Sequence, residues 1–524
     1  MRIAPTRIEE PETKRPPLLP WLISLAVGTV LVGSWFILQP AFGPDGYVGP
    51  FVHRFTATWG FNRPILVLFV PFGLALWAWR RGARTSLRLL IGGAVVLHVL
   101  LLFAPPPQSQ DLYQYLFYGR MQMLHPPSGA GQMLILHGAN PYVVQPSTVY
   151  SWVCPGNGCR TNPTWYTWLH WPNQTSVYGP VWSLLMLGVA RVAGSSLLAA
   201  FLVYKFVILT IDAAIVWMIV AAARESHPER DEFTGAAGWG VLAYAWNPLV
   251  LITVPLGGLV DTGIAACFLG AYLARRRNHM LLVTVLLTAA SMIKVYAVIG
   301  LLLHLLLLLR ERGVRTTARH SAVCGSMALL LTIPYWAGLN TFRGVVHVAD
   351  LSNKSLAGTV QRILTILLRW TGVLDPPRLA GDIVRAAAFA ILAAGVLWAV
   401  RRVWRQGDLW ACVLAVLCLY LLVTPWFLYW YLLTPIVLVA VMPRNRLTDP
   451  VLVFSGTGMF TAAFPPWLLG NITQALLRYA VPLTVYVREP ARRRRGHADI
   501  LELPPLDDAG VPAGENGGGA AAGV

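Results

Sequence analysis

Carboxylates are scarce in this chain. Asp and Glu together number 23 among 524 residues, against 41 Lys and Arg, and charged residues make up only 12%. With 56% hydrophobic residues and a mean hydropathy of +0.58, so little charge excludes a soluble domain and indicates an integral membrane protein. Cysteine is sparse as well, at six residues. Cys267, Cys324, Cys412 and Cys418 fall in apolar runs, where a small buried hydrophobe is the default. Cys154 and Cys159 bracket Pro-Gly-Asn-Gly in a polar loop and leave a local disulfide open. His125, His137 and His170 share that region, but two further ligands at suitable spacing are missing, which disfavours zinc. The first residues lack the apolar core and cleavage site of a secretory signal, and no repeat of solenoid period is present.

What the chain does have is apolar runs, about fourteen of them near the ~20 residues needed to span a bilayer. They predict an all-α, polytopic membrane protein. The excess of positive charge does not point to nucleic acid, because the arginines sit in short clusters between apolar runs, as in cytoplasmic loops that meet anionic lipid. Arg80, Arg81, Arg84 and Arg88 form one such cluster, and Arg275 to Arg277, Arg310 to Arg319, Arg401 to Arg405, Arg444 with Arg446, and Arg492 to Arg495 form the others. This alternation divides the chain into a cytoplasmic segment 1–19, a membrane domain 20–488 and a basic, then disordered, cytoplasmic tail 489–524. The segments 178–194 and 196–221 break the alternation, so one of the two should be re-entrant or interfacial.

The longest loop, 105–177, is rich in Pro, Gly, Trp and Tyr, a composition suited to juxtamembrane helices at the outer interface. Asp111 opens it. Asp111, Tyr115 and Tyr118 recur at helical spacing and should line one face of a short helix ended by Gly119. Polar groups and helix breakers collect on the same predicted face: Arg120, Asn140, Tyr142, Tyr178, Asn247, Asp261, Lys294, Trp336, Arg343, Lys354 and Trp426. At membrane depth such groups usually line a cavity. Asp111 is a candidate general base that also suits a helix start. Lys294 is either a phosphate ligand or a snorkelling or ion-paired lysine, with Asp261 as the partner. Asp212 reads as a buried structural partner of Lys205.

The order of motifs resembles bacterial integral-membrane glycosyltransferases of the GT-C class, in particular actinobacterial polyprenyl-phosphomannose-dependent mannosyltransferases. The resemblance rests on Asp111-Leu-Tyr-Gln-Tyr115 with Tyr118-Gly119-Arg120, His137-Gly-Ala-Asn140-Pro141-Tyr142, Tyr178-Gly179-Pro180-Val-Trp182, Trp246-Asn247-Pro248, Gly258-Leu-Val-Asp261, Lys294, and Pro425-Trp426 through Trp430-Tyr431, from about 105 to 435. It implies a multi-pass enzyme of a bacterial plasma membrane with its active site on the extracytoplasmic side. It also implies inverting transfer of a sugar, mannose by family, from a polyprenyl-phosphate donor to a glycolipid or glycan acceptor. Asp111 would be the base, Lys294, Arg120, Arg343 and Lys354 the donor-phosphate ligands. Tyr115, Tyr118, Asn140, Tyr142, Tyr178, Asn247, Asp261, Trp336 and Trp426 would contact sugar or acceptor. Gln110 and Tyr113 stand beside Asp111 where many of the wider class carry a second acid, so a divalent metal is not required by the resemblance. A surface-polysaccharide polymerase or ligase is the nearest alternative, and a lipid or solute transporter the next. A transporter should show two related halves with matching broken helices, and none is evident.

Overall fold

The computed structural model describes residues 16–38, 63–104, 111–127, 129, 131–153, 166, 169, 171–227, 229–344, 355–463 and 471–494. These residues are helical, and their extended pairings are the isolated bridges Gln132–Ala139 and Ala337–Leu339. The all-α class read from the sequence therefore holds. In chain order the first helices are α1 (Leu19–Leu38), α2 (Arg63–Val67), α3 (Phe69–Arg80), α4 (Leu87–Leu102), α5 (Asp111–Met121), α6 (Pro146–Val153), α7 (Pro180–Ala193) and α8 (Leu197–Ser226). The middle of the chain forms α9 (Arg230–Ala245), α10 (Pro248–Leu251), α11 (Asp261–Arg276), α12 (Met280–Ser291) and α13 (Val298–Thr332). The last are α14 (Leu356–Arg369), α15 (Pro376–Gln406), α16 (Leu409–Val423), α17 (Leu433–Val441), α18 (Thr448–Ala463) and α19 (Asn471–Arg494).

Among the described residues, α8 and α15 are long and apolar enough to cross a membrane by themselves. A bent pair, Asp231–Ala245 with Pro248–Leu256, adds a third span if its 51° break lies within one crossing. Shorter apolar helices, with α1 taken over Leu19–Ser34, run 10–17 residues, roughly 15–25 Å at ~1.5 Å per residue and short of a ~30 Å hydrocarbon core. The sequence count of fourteen is not reached on this measure because the apolar runs are broken inside the bundle. Asn247-Pro248 interrupts one run, and Lys294, in extended backbone, separates α12 from a 3₁₀ turn. Within α13, Gly313 (φ 76°, ψ 177°) folds the chain back, bringing the rings of His304 and His320 to 6.4 Å. The helix α14 falls in a stretch the sequence reading passed over. Its alternating polar residues hide a strongly amphipathic face, on which Val360, Ile363, Ile366 and Leu367 are exposed.

The ambiguous pair of segments differs sharply in length. α8 has 30 residues and α7 has 14, so only α8 reaches across a bilayer unaided. One end of the bundle is tied by arginines. Arg275 pairs with Glu311 at 2.5 Å, Arg277 pairs with Glu225, Arg276 donates to Ser226 Oγ at 2.5 Å, and Arg310 donates to the Val403 carbonyl at 3.4 Å. From that rim α11 runs to Asp261 at its other end, α12 runs toward Lys294, and α16 runs toward Pro425-Trp426.

Buried polar groups hold the broken region together, and here one sequence expectation is corrected. Lys205 does not pair with Asp212. Its ammonium donates to the carbonyls of Pro255 and Leu256 in a π-helical turn, where the proline has disrupted the helix ladder. Asp212 instead binds His98 and accepts from the Tyr244 hydroxyl at 2.8 Å, while His98 Nε2 reaches the Ala245 carbonyl at 2.9 Å. Lys205 and Asp212 lie on the same side of α8 but two turns, about 10 Å, apart along its axis, so each finds a partner far away in sequence.

Candidate active site

Asp111 is the first residue of α5 and lies partly exposed, whereas Leu112 to Gly119 are buried. Gly119 does not end the helix, which continues to Met121. Buried Tyr115 meets Tyr178 edge-on at 4.8 Å and also packs on Trp182 and Tyr204, each at 6.1 Å. Tyr118 donates to the Gln174 carbonyl at 2.9 Å. The expected helix and its aromatic face are thus present, and the aromatic face serves as wall and support for the acid at its N-terminus.

A second group of polar residues forms around α11. Asp261, fully buried at the start of that helix, accepts from Lys294 Nζ at 3.1 and 3.3 Å and from the Tyr296 hydroxyl at 3.0 Å. Lys294 keeps 14% of its side chain exposed and lies 4.2 Å from the centre of the Tyr431 ring. Tyr296, Tyr420 and Tyr431 pack together beside it, the first two stacked at 5.4 Å. The ammonium is thus held by a carboxylate below and an aromatic face beside it, an arrangement that fixes a lysine while leaving donors free.

Tyr204 links the two groups, packing on Tyr115 of α5 at 6.1 Å and donating through its hydroxyl to the Gly258 carbonyl, three residues before Asp261. Backbone motifs make the connection rigid. The Tyr178-Gly179-Pro180 segment lies directly on the turn leading to Lys294, with Gly179 N donating to the Ile293 carbonyl at 2.8 Å and Val181 N to that of Met292 at 3.2 Å. A Cβ on Gly179 would stand 2.0 Å from the Met292 oxygen, so only glycine fits. Gly258, at φ +63°, turns the chain into α11 while its carbonyl accepts from the Tyr204 hydroxyl, and a side chain there would strike Leu112 of α5. Gly179→Ala is accordingly expected to destabilise the protein by about 1–3 kcal/mol, as overpacking does. A thermal unfolding midpoint equal to wild type would show that this turn can yield.

The remaining sequence candidates separate into groups. Trp426 packs on Trp171 at 6.2 Å, whose backbone exchanges hydrogen bonds with the Gln114 side chain of α5, so Trp426 belongs to the Asp111 neighbourhood. Asn140 and Tyr142 are buried staples. Asn140 donates to the Tyr335 carbonyl at 2.8 Å, and the Tyr142 hydroxyl bonds the Tyr178 carbonyl and Ser183. Asn247 is fully buried, accepting from Leu249 N at the start of α10. Arg120 lies at the far end of α5 from Asp111, about 14 Å along the helix, and donates to the Gly194 carbonyl that follows α7. Trp336, 52% exposed, packs on Phe342, and Arg343 is exposed. Lys354, Cys154, Cys159 and His170 lie outside the described residues.

Tyr204, Tyr296 and Tyr420 pack around these candidate residues and were missed by the sequence reading, while Trp182 and Tyr431 appeared there only as the ends of motifs. Within apolar runs a tyrosine looks like any interface aromatic. Its hydroxyl partner alone distinguishes it, and that partner is remote in sequence. Among the described residues no three His, Cys, Asp or Glu side chains converge as a metal-ligating group.

Comparison with known proteins identifies the family. The family model MptA_B, described as alpha-(1->6)-mannopyranosyltransferase, N-terminal domain, matches residues 22–310 and so includes Asp111, Tyr178-Gly179-Pro180, Asp261 and Lys294. No curated protein matches the chain. The family match spans more than half of the sequence, and this all-helical membrane protein belongs to the MptA_B family of alpha-(1->6)-mannopyranosyltransferases.

Proposed function

We propose that this mannosyltransferase moves mannose from a polyprenyl-phosphate donor to a hydroxyl of a glycolipid or glycan, with Asp111 as base and Lys294 as the donor-phosphate ligand. One observation carries the reading: the helix that begins with Asp111 and the segment that carries a fixed, partly exposed Lys294 are packed together through Tyr115, Tyr178, Tyr204 and the Tyr178-Gly179-Pro180 turn. In the step proposed, the acceptor oxygen attacks the anomeric carbon as its proton passes to Asp111. The bond from that carbon to the phosphate oxygen breaks, the electron pair leaves with the polyprenyl phosphate, and the Lys294 charge stabilises it. Attack opposite the leaving group inverts the anomeric centre. Tyr115, Tyr178 and Trp426 are the sugar-facing aromatics on this reading, while Asn140, Tyr142, Asn247 and Arg120 act by holding the scaffold.

Purified protein supplied with radiolabelled polyprenyl phosphomannose and membrane glycolipid should form labelled mannosyl product. Transfer from a nucleotide sugar with no polyprenyl intermediate would overturn the donor assignment.

The proposal includes sidedness. With the arginine rim in the cytoplasm, the shorter and broken helices counted as crossings and α7 as re-entrant, the chain makes about fourteen passes and Asp111 faces outward. Segments 1–19 and 489–524 would then be cytoplasmic, in a bacterial plasma membrane. Single cysteines introduced at 111 and 315, in a background without native cysteines, are expected to differ. An impermeant thiol reagent applied to intact cells should label 111 and not 315, and the reverse pattern would invert the protein and remove the donor assignment.

A further inference from the structure

The chain breaks between α10 and α11, and two neighbouring side chains of α8 hold the break. The π-helical turn Ile252–Leu256 contains Pro255, and Gly258, at φ +63°, carries the chain off the helical path. In a continued helix the Leu259 amide would meet the Pro255 carbonyl. It donates instead to the Thr253 carbonyl at 3.1 Å, so the last carbonyls of the turn need other donors. Helix α8 supplies them. Lys205 Nζ donates to the carbonyls of Pro255 and, at 2.7 Å, Leu256, and the Tyr204 hydroxyl donates to that of Gly258.

Lys205 is fully buried, and among the described residues its ammonium bonds only these two carbonyls. A lysine in an apolar bundle is costly and marks a functional position. Here it faces the C-terminal end of a helical turn, where the backbone dipoles present partial negative charge. The contact is close, for a Cβ on Gly258 would lie 3.0 Å from Tyr204 Cε1 and 3.7 Å from Lys205 Cδ. Only Leu259 and Val260 separate Gly258 from Asp261, so a shift of the turn passes directly to that carboxylate. Asp261 in turn holds Lys294 Nζ at 3.1 Å.

We propose that Tyr204 and Lys205 are positioning residues for Lys294: by capping the carbonyls of residues 255, 256 and 258 they fix the start of α11, and through Asp261 they hold the Lys294 ammonium in place. The positioning itself stands on these contacts, while its consequence for transfer rests on the reading of Lys294 as the donor-phosphate ligand. Lys205→Met keeps the apolar stem and removes the donors. Tyr204→Phe is the milder change. Its ring keeps the contacts with Tyr115 and Trp182, each at 6.1 Å, and only the bond to Gly258 is lost.

Amine labelling reads the position of Lys294 without reference to catalysis. Full-length wild type and variants in detergent are acylated briefly with a water-soluble N-hydroxysuccinimide ester, and modification of Lys294 is quantified by mass spectrometry relative to Lys14. The wild-type Lys294 side chain is 14% exposed and held on Asp261, so its labelling follows the population in which that contact opens. Tyr204→Phe should label Lys294 about fivefold faster, the change that loss of one neutral hydrogen bond gives, and Lys205→Met about tenfold or more, because its lost bonds are charge-assisted. Thermal unfolding shows which variants are folded, and if Lys205→Met is not, Tyr204→Phe alone decides. Wild-type labelling of Lys294 in folded Tyr204→Phe would overturn the proposal, since it would confine the pair to general stability. Transfer from radiolabelled polyprenyl phosphomannose gives the second readout. Donor kcat/KM should fall about fivefold in Tyr204→Phe, and the same substitution should cost nothing further in a Lys294→Met background. An equal loss in both backgrounds would overturn the proposal. Wild-type donor kcat/KM in Lys294→Met itself would instead remove Lys294 from donor binding, and the labelling result would then decide the positioning role by itself.

Discussion

Asp111→Asn is expected to lower mannosyl transfer by about 10²- to 10⁴-fold, the usual loss on removing a general base, with no change in folding. The substitution is informative because Asp111 begins α5. Asparagine starts a helix about as well as aspartate, so a role confined to helix initiation predicts near-normal turnover. Charge at the N-terminus of the helix dipole contributes only about 0.3–1 kcal/mol, too little to unfold the protein. Turnover and melting temperature measured on the same preparation separate the two roles. A variant with wild-type turnover would remove Asp111 from the chemistry.

Lys294→Met should combine two losses. The Asp261 carboxylate is fully buried and would keep only the Tyr296 hydroxyl among the partners described above. Breaking a buried ion pair from one side costs about 3–5 kcal/mol because a charge is left uncompensated. Catalysis should fall as well, by about 10²- to 10³-fold if Lys294 stabilises the departing phosphate, the range found for loss of one charge-stabilising donor. The double variant Lys294→Met with Asp261→Asn distinguishes these effects. It removes both charges, so stability should return toward wild type while transfer stays low. Recovery of transfer together with stability would confine Lys294 to a structural pairing with Asp261.

Much of the site was legible in the sequence because its residues break local rules. An acid, a lysine, Tyr178-Gly179-Pro180 and Asn247-Pro248 are conspicuous in a chain that is otherwise apolar, and each marks a place where a helix starts, stops or bends. Rule-breaking identifies a position without assigning its work. Asn140, Tyr142 and Asn247 looked as suitable for sugar as Tyr115 did, yet their polar atoms are taken up by Tyr335, Tyr178, Ser183 and Leu249. Arg120 looked like a phosphate ligand because it follows Asp111 closely in the chain. The helix between them carries it to the end of α7 instead.

The sequence by itself determined the membrane class, the helical fold, the arginine clusters and the acid at the head of the long loop. All of these depend on composition or on residues within a few turns of one another. The tertiary structure decided which polar groups meet. Lys294 and Asp261 are 33 residues apart, and His98 and Asp212 are 114 apart. No helical period relates such positions, and a buried charge in an apolar bundle accepts whichever partner the packing brings within hydrogen-bond reach. Pairing of Lys205 with two carbonyls rather than with Asp212 has the same origin, since a proline-broken turn elsewhere in the chain brings carbonyl acceptors to the level of Lys205, two helical turns along α8 from Asp212.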